Sequence, residues 1–144
     1  MRTADFVLVD AFKAYGIGVE CKDYTYEVVD SNTSYKLIHA FNDFDEIINK
    51  YLIRYEPDTF DCDDYSFLFK VVCSLNKFAC AYAEGYVDRF AHAFNVVPYW
   101  HSGRVLLILV EPQLINTGVP FWWLMNSDTV ITPYGTYRVR SVVL

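Results

Sequence analysis

Hydrophobic and polar positions along this chain follow two periods, and each change of period marks a boundary between elements. From Phe6 to Tyr15 the apolar side chains Leu8, Ala11, Phe12 and Tyr15 predict a short helix ended by Gly16 and Gly18. Tyr24 to Val29 and Tyr35 to Phe41 alternate, which predicts two strands joined through the turn-prone Asp30 to Ser34. The period then lengthens. Phe44, Ile47, Ile48, Tyr51, Leu52 and Tyr55 form one stripe at helical spacing, with Asn42 as cap, Asp43, Asp45 and Glu46 at the positive end of the dipole, and Pro57 as the stop. A second long helix is expected to begin at Cys62, with Asp61 as N-cap and Asp64 at the third helical position. It runs through Phe69, Val72 and Cys73 to about Asn76.

Beyond it the pattern is that of strands. A short strand near Phe78 to Ala83 and a turn at Gly85 lead into two strongly apolar stretches, Phe90 to Val97 and Arg104 to Val110, which read as a hairpin. With Trp100 to Gly103 as its loop, Tyr99 pairs with Arg104, and counting back along the ladder sets His92 opposite Glu111. Opposed side chains share a face with Cβ atoms about 4.5 to 5.5 Å apart, whereas a one-residue slip would send them to opposite faces. Phe121 to Trp123, Thr129 to Ile131, a Pro133 to Gly135 turn and an alternating Thr136 to Leu144 complete the sheet. The tryptophans can form a sugar or peptide platform, but packing is the commoner use of such residues.

Composition narrows the class. A chain of 144 residues, a little over half apolar, is expected to form a single domain, 1–144, able to bury a core without disulfide staples. The net charge of −6 is carried by Asp43 to Asp64, where eight acids stand against Lys50 and Arg54. That balance argues against nucleic acid, whose binding draws on Lys and Arg. No apolar run approaches the roughly 18 residues a bilayer requires, and Asp5 and Asp10 interrupt the only stretch resembling a leader. The expectation is a soluble, cytoplasmic protein, in the host cytoplasm if viral, with no membrane partner and self-association allowed but not indicated. Cys21, Cys62, Cys73 and Cys80 form no CxxC pair, so a zinc knuckle is not indicated and disulfide pairing is left open.

Candidate chemistry centres on Cys62. A thiol at a helix start lies near unpaired backbone N–H groups that favour the thiolate, the attacking species in thiol chemistry. His92, with Glu111 across the ladder, supplies a base and its orienter, which completes the logic of a triad. A lone cysteine is more often a small buried residue, and a strand histidine more often a hydrogen-bonded core group. Cys73 and Cys80 take that plainer reading outright, as do His39 and His101.

The segments Phe60, Asp61, Cys62, Asp63, Asp64, Tyr65, then His92, Ala93, Phe94, Asn95, then Glu111, Pro112, Gln113 resemble a group of papain-like proteins. The group includes the C-terminal protease domain of a mushroom agglutinin and small phage-encoded relatives. The resemblance covers about Tyr55 to Gln113. It implies Cys62 as nucleophile, His92 as general base and then acid, and Glu111 as the group holding the imidazole. Papain-like enzymes usually place a Gln before the cysteine, where this chain has Tyr55, Glu56, Pro57 and Asp58, so Gln113 is the oxyanion candidate. The agglutinin's sugar-binding domain has no counterpart, because no threefold repeat is present. The expected fold is therefore α+β, papain-like or transglutaminase-like, with the cysteine-bearing helix packed on an antiparallel sheet. The expected function is a thiol hydrolase, a cysteine peptidase or amidase acting on a peptide or amide substrate.

Acids beside a thiolate oppose its formation. A calcium ion held by Asp58, Asp61, Asp63 and Asp64 would offset them, and the related agglutinin domain implies calcium dependence; no organic cofactor is called for. The plainer reading makes Asp61 and Asp64 caps and leaves Asp58 and Asp63 in water. The rival function is a catalytically inactive binding or assembly protein, viral in kind, that keeps the papain-like scaffold.

Overall fold

A computed structural model describes residues 1–144. Strand β1 (Arg2–Ala4) runs straight into helix α1 (Asp5–Lys13), and three short strands follow: β2 (Gly18–Glu20), β3 (Thr25–Glu27) and β4 (Val29–Asp30). Helices α2 (Tyr35–Lys50) and α3 (Cys62–Leu75) come next. The remainder is strand: β5 (Ala81–Val87), β6 (Phe90–His101), β7 (Arg104–Val110), β8 (Trp122–Leu124), β9 (Thr129–Thr132) and β10 (Gly135–Val143).

An eight-stranded sheet organises the molecule in the order β2-β10-β5-β6-β7-β8, with β4 added beside β6 and β9 beside β10. Most of its ladders are antiparallel, but β2 on β10 and β4 on β6 are parallel. Both faces are covered. Leu8 and Phe12 of α1 pack with Phe94, Val96, Leu107, Leu109 and Val139 on one side. On the other, Phe41, Phe44 and Ile48 of α2 and Phe69 and Val72 of α3 pack with Val97, Ile108 and Val110. Successive residues of β6 and β7 therefore alternate between two cores, and this is why both read as continuous apolar runs.

The expected α+β, papain-like or transglutaminase-like fold is corrected by this architecture. Ten strands and one large mixed sheet dominate three α-helices. Part of the error is local. Tyr35 to Phe41 looked like a strand, yet it forms the first half of α2, because Leu37, Ala40, Phe41, Phe44 and Ile48 make one buried helical stripe. Asn42 is thus mid-helix rather than a cap, and α2 ends at Lys50, well before Pro57.

One polar cluster holds α3 against the sheet, and one glycine lets β10 close on β5. Asn95, wholly buried on β6, donates to the carbonyls of Ser66 (3.0 Å) and Ala81 (3.2 Å) and accepts from the Ser66 hydroxyl (3.1 Å). Each polar atom is thereby satisfied, as burial requires. Gly85, the ladder partner of His92, allows β10 to approach: a Cβ there would sit 1.9 Å from the Arg138 carbonyl oxygen. Only glycine permits that contact.

Candidate functional site

Asp61 and Asp64 frame the start of α3. The Asp61 N–H donates to Asp64 Oδ2 at 3.2 Å, the reciprocal half of a capping box, and Cys62 is the first residue of the helix. The helix end does not make this thiol acidic. Burial raises its pKa above that of an ordinary thiol, and the charges of Asp61 and Asp63 add to the rise. N–H groups of Ala93 and Asp63 oppose it without prevailing. Asp63 is itself held above the usual carboxylate range, first by its hydrogen bond to Asp61, then by burial and the Asp61 charge.

At the other side stands a tightly bonded imidazole. His92 Nε2 lies 2.6 Å from Glu111 Oε2, and the same oxygen accepts from the Tyr137 hydroxyl at 2.9 Å. Glu111 Oε1 accepts from the Gln113 N–H at 3.2 Å, so both oxygens of a carboxylate only 2 % exposed are engaged. Burial and the neighbouring Glu111 push the Tyr137 hydroxyl strongly up, keeping it a donor. Phe94 stacks beside the His92 ring, and Tyr137 meets it edge-on.

The pairing of His92 with Glu111 arises by a different register from the one counted in sequence. The hairpin loop is two residues, Ser102 and Gly103, both at positive φ, and His101 pairs with Arg104. The whole ladder is displaced by two residues from the expected one. A shift of two preserves the face, so the side chains still meet, diagonally and just past the end of β7. Tyr137 was not anticipated, since its place depends on β10 docking against β5, which the chain's local pattern does not encode.

Cys62 and His92 line one hollow of about 290 Å³, together with Asp63, Tyr82, Glu84, Tyr86 and Arg140. A second hollow of about 350 Å³ lies against His92 as well, lined by Phe90, Glu111, Gln113, Leu114, Tyr134 and Tyr137. Gln113 belongs to this second space and not to the one containing Cys62, so it is not placed as an oxyanion donor to that thiol.

The expected calcium set does not assemble. Ligand atoms of Asp61, Cys62 and Asp63 lie within 4.8 Å of one another, but Asp58 and Asp64 are outside that group, and Asp64 is engaged in the cap. Two carboxylates and a sulfur are not the shell of six to eight oxygens that calcium takes. No helix is long and apolar enough to cross a membrane.

No family model matches the chain, and no curated protein matches its sequence. Solved structures do. One, described as the PSL1a-E64 complex, superposes with a TM-score of 0.65 at 16% identity, covering 99% of this chain and 51% of that one. Another is Polyporus squamosus lectin bound to the human-type influenza-binding epitope Neu5Aca2-6Galb1-4GlcNAc, with a TM-score of 0.61 and 16% identity, covering 99% of this chain and 49% of that one. The likeness is one of fold, and this chain spans about half the length of the structures it matches.

One of these neighbours is a lectin, and against that finding the expected resemblance to a papain-like protease group is corrected. The expected thiol hydrolase, cysteine peptidase or amidase falls with it, as does the expected peptide or amide substrate. Cys62 and His92 line one hollow and His92 is bonded to Glu111, while burial and the neighbouring Asp61 and Asp63 raise the thiol's pKa.

Proposed function

We propose that this chain is a binding protein without hydrolase activity, and that the hollow between Cys62 and His92 is its recognition surface. The observation that supports the reading is the fold likeness to solved structures, one of them a lectin with its glycan bound, of which this chain spans about half. The raised thiol pKa of Cys62 supports it, because a protonated sulfur is a poor nucleophile. In this reading Glu111 and Tyr137 fix the His92 ring as a contact group, and Cys62 helps to floor the hollow.

A glycan is the ligand class to which the neighbours point. Polyols are bound by flat rings beside polar groups that donate and accept several hydrogen bonds. Tyr82, Tyr86, Arg140, Glu84, Asp63 and His92 bring both kinds of group to one small concavity. No metal is called on. The protein would act as one unit over residues 1–144, in the cytoplasm.

Titrating the chain against a panel of soluble oligosaccharides by NMR tests this directly. Saturable shifts confined to His92, Tyr82 and Arg140, lost in Arg140→Ala, are the expected result. Absence of binding to every glycan, combined with Cys62-dependent release of product from a peptide or amide library, would overturn it.

A further inference from the structure

A third hollow, larger than either of the two beside His92, lies where the exit of α3 faces the segment from Lys22 to Glu27. It encloses about 490 Å³ and shares no lining residue with the other two. Buried Tyr26, Phe78 and Cys80 supply its apolar lining. The α3 wall is cationic. Lys70, Ser74 and Lys77 stand at i, i+4 and i+7, steps that keep them on one side of the helix and its exit turn. Neither lysine is ion-paired with any carboxylate of the chain. Lys70 is half-buried, and its ammonium meets the Cys80 carbonyl at 2.7 Å with further N–H donors to spare. The Ser74 hydroxyl turns back onto the Lys70 carbonyl at 3.1 Å and so does not bridge the two ammoniums.

The carbonyls at the end of α3 have partners of their own. The helix closes as a Schellman motif: the Phe78 N–H donates to the Cys73 carbonyl at 3.3 Å and the Lys77 N–H to that of Ser74 at 3.0 Å, while the Asn76 N–H covers Val72 at 3.1 Å. Lys77 takes the left-handed position of that motif at φ 64°, where glycine is unstrained and lysine is not. Strain kept at the rim of a hollow points to a side chain retained for what it does there. The facing segment does not cancel the charge. Lys22 is paired with Glu20, Glu27 lies 3.8 Å from the N-terminal ammonium, and Asp23, which subtracts from the positive charge, is exposed to water.

We propose that this hollow binds a phosphate monoester with a small aromatic or aliphatic body, the phosphate held by Lys70 and Lys77 and the body packed against Tyr26 and Phe78. A phosphate monoester carries a charge of about −1.5 to −2 at pH 7, which answers two uncompensated ammoniums, and its several acceptor oxygens suit their multiple donors. A hollow with an apolar lining and a few convergent polar groups is the usual form of a small-molecule site.

Phenyl phosphate is the probe, titrated into the whole chain and followed by amide NMR shifts. Saturation below about 10 mM is expected, with shifts centred on Thr25, Phe78 and Ala79 and none at His92 or Arg140. Lys70→Met keeps the apolar stem and removes the ammonium, and affinity should fall at least about tenfold, as for a lost hydrogen bond to a charged group. Lys77→Gly separates binding from folding. It relieves the strained φ, so its melting temperature should be no lower than that of the unsubstituted chain, while phenyl phosphate binds several-fold more weakly. Phenol lacks the charge, benzoate has half of it and inorganic phosphate lacks the ring, so each should bind more weakly than phenyl phosphate. Failure to saturate, shifts centred away from the hollow, affinity unchanged in either lysine variant, or equal binding of any of the three comparison compounds would each overturn the proposal.

Discussion

The carboxylates beside Cys62 at the start of α3 and the carboxylate beside His92 at the end of β7 have surroundings that treat them differently. Glu111 is sealed from water and receives His92, Tyr137 and the Gln113 N–H. Asp61 and Asp63 are half-buried beside a thiol, Asp63 is held above its usual range chiefly by Asp61, and Asp61 Oδ1 is buried with no partner. Donors therefore hold one acid in a fully bonded place, while Asp61 Oδ1 is left without a partner. The difference teaches that number of acids says little, whereas the supply of donors decides whether a carboxylate orders its neighbours or unsettles them.

The largest effect is expected from removing the well-supplied acid. Glu111→Ala leaves the His92 ring and the Tyr137 hydroxyl without their partner and should cost about 3 to 5 kcal/mol, the range seen when a buried pair loses one member. Urea unfolding measures it, and a loss below about 1 kcal/mol would mean that water replaces the carboxylate freely. Tyr137→Phe removes one of the bonds to Glu111 while keeping the ring that Phe94 and His92 touch. A loss of about 1.5 to 3 kcal/mol is expected, as for a hydrogen bond to a charged group.

Smaller changes are expected on the frustrated side. Asp61→Asn removes the charge that helps to raise the Cys62 pKa, so the midpoint of Cys62 alkylation by iodoacetamide, followed against pH, should move down. In the unsubstituted chain that midpoint should lie above the ~8.5 of a free thiol, and a midpoint below it would contradict the thiol's surroundings as described. Asp63 gives the smallest signal. Its folded pKa is raised, so the folded state holds the proton more tightly, and the resulting stability is present at low pH and lost as pH climbs from the ordinary carboxylate range through the raised value. Thermal melts of Asp63→Asn should flatten that decline, which a pH-independent difference between the two proteins would refute.

Local pattern carried the parts of the molecule that depend on near neighbours. The Asp61 and Asp64 capping box, the start of α3 at Cys62 and the hairpin of β6 and β7 could all be read from the residues. Tyr35 to Phe41 could not, since alternating and helical spacing overlap over so short a run and packing against α3 decides between them. Neither the β2–β10 pairing nor the arrival of Tyr137 at Glu111 leaves a local trace. The candidate residues were found together, but their environment was not: burial and donor supply around Cys62 follow from the tertiary arrangement, and they argue for a protonated thiol where helix position alone argued for an ionised one.

Strand β10 joins stretches widely separated in the chain, with Ser141 beside Gly18 in parallel and Val142 beside Ala83 in the opposite sense. Contacts this remote in sequence carry a closure entropy that must be met before they reward the chain, which slows their formation. The meander of β5, β6 and β7 can assemble first, so during refolding His92 and Glu111 are expected to meet early and wait for Tyr137. A refolding phase sensitive to Tyr137→Phe should then be the slow one.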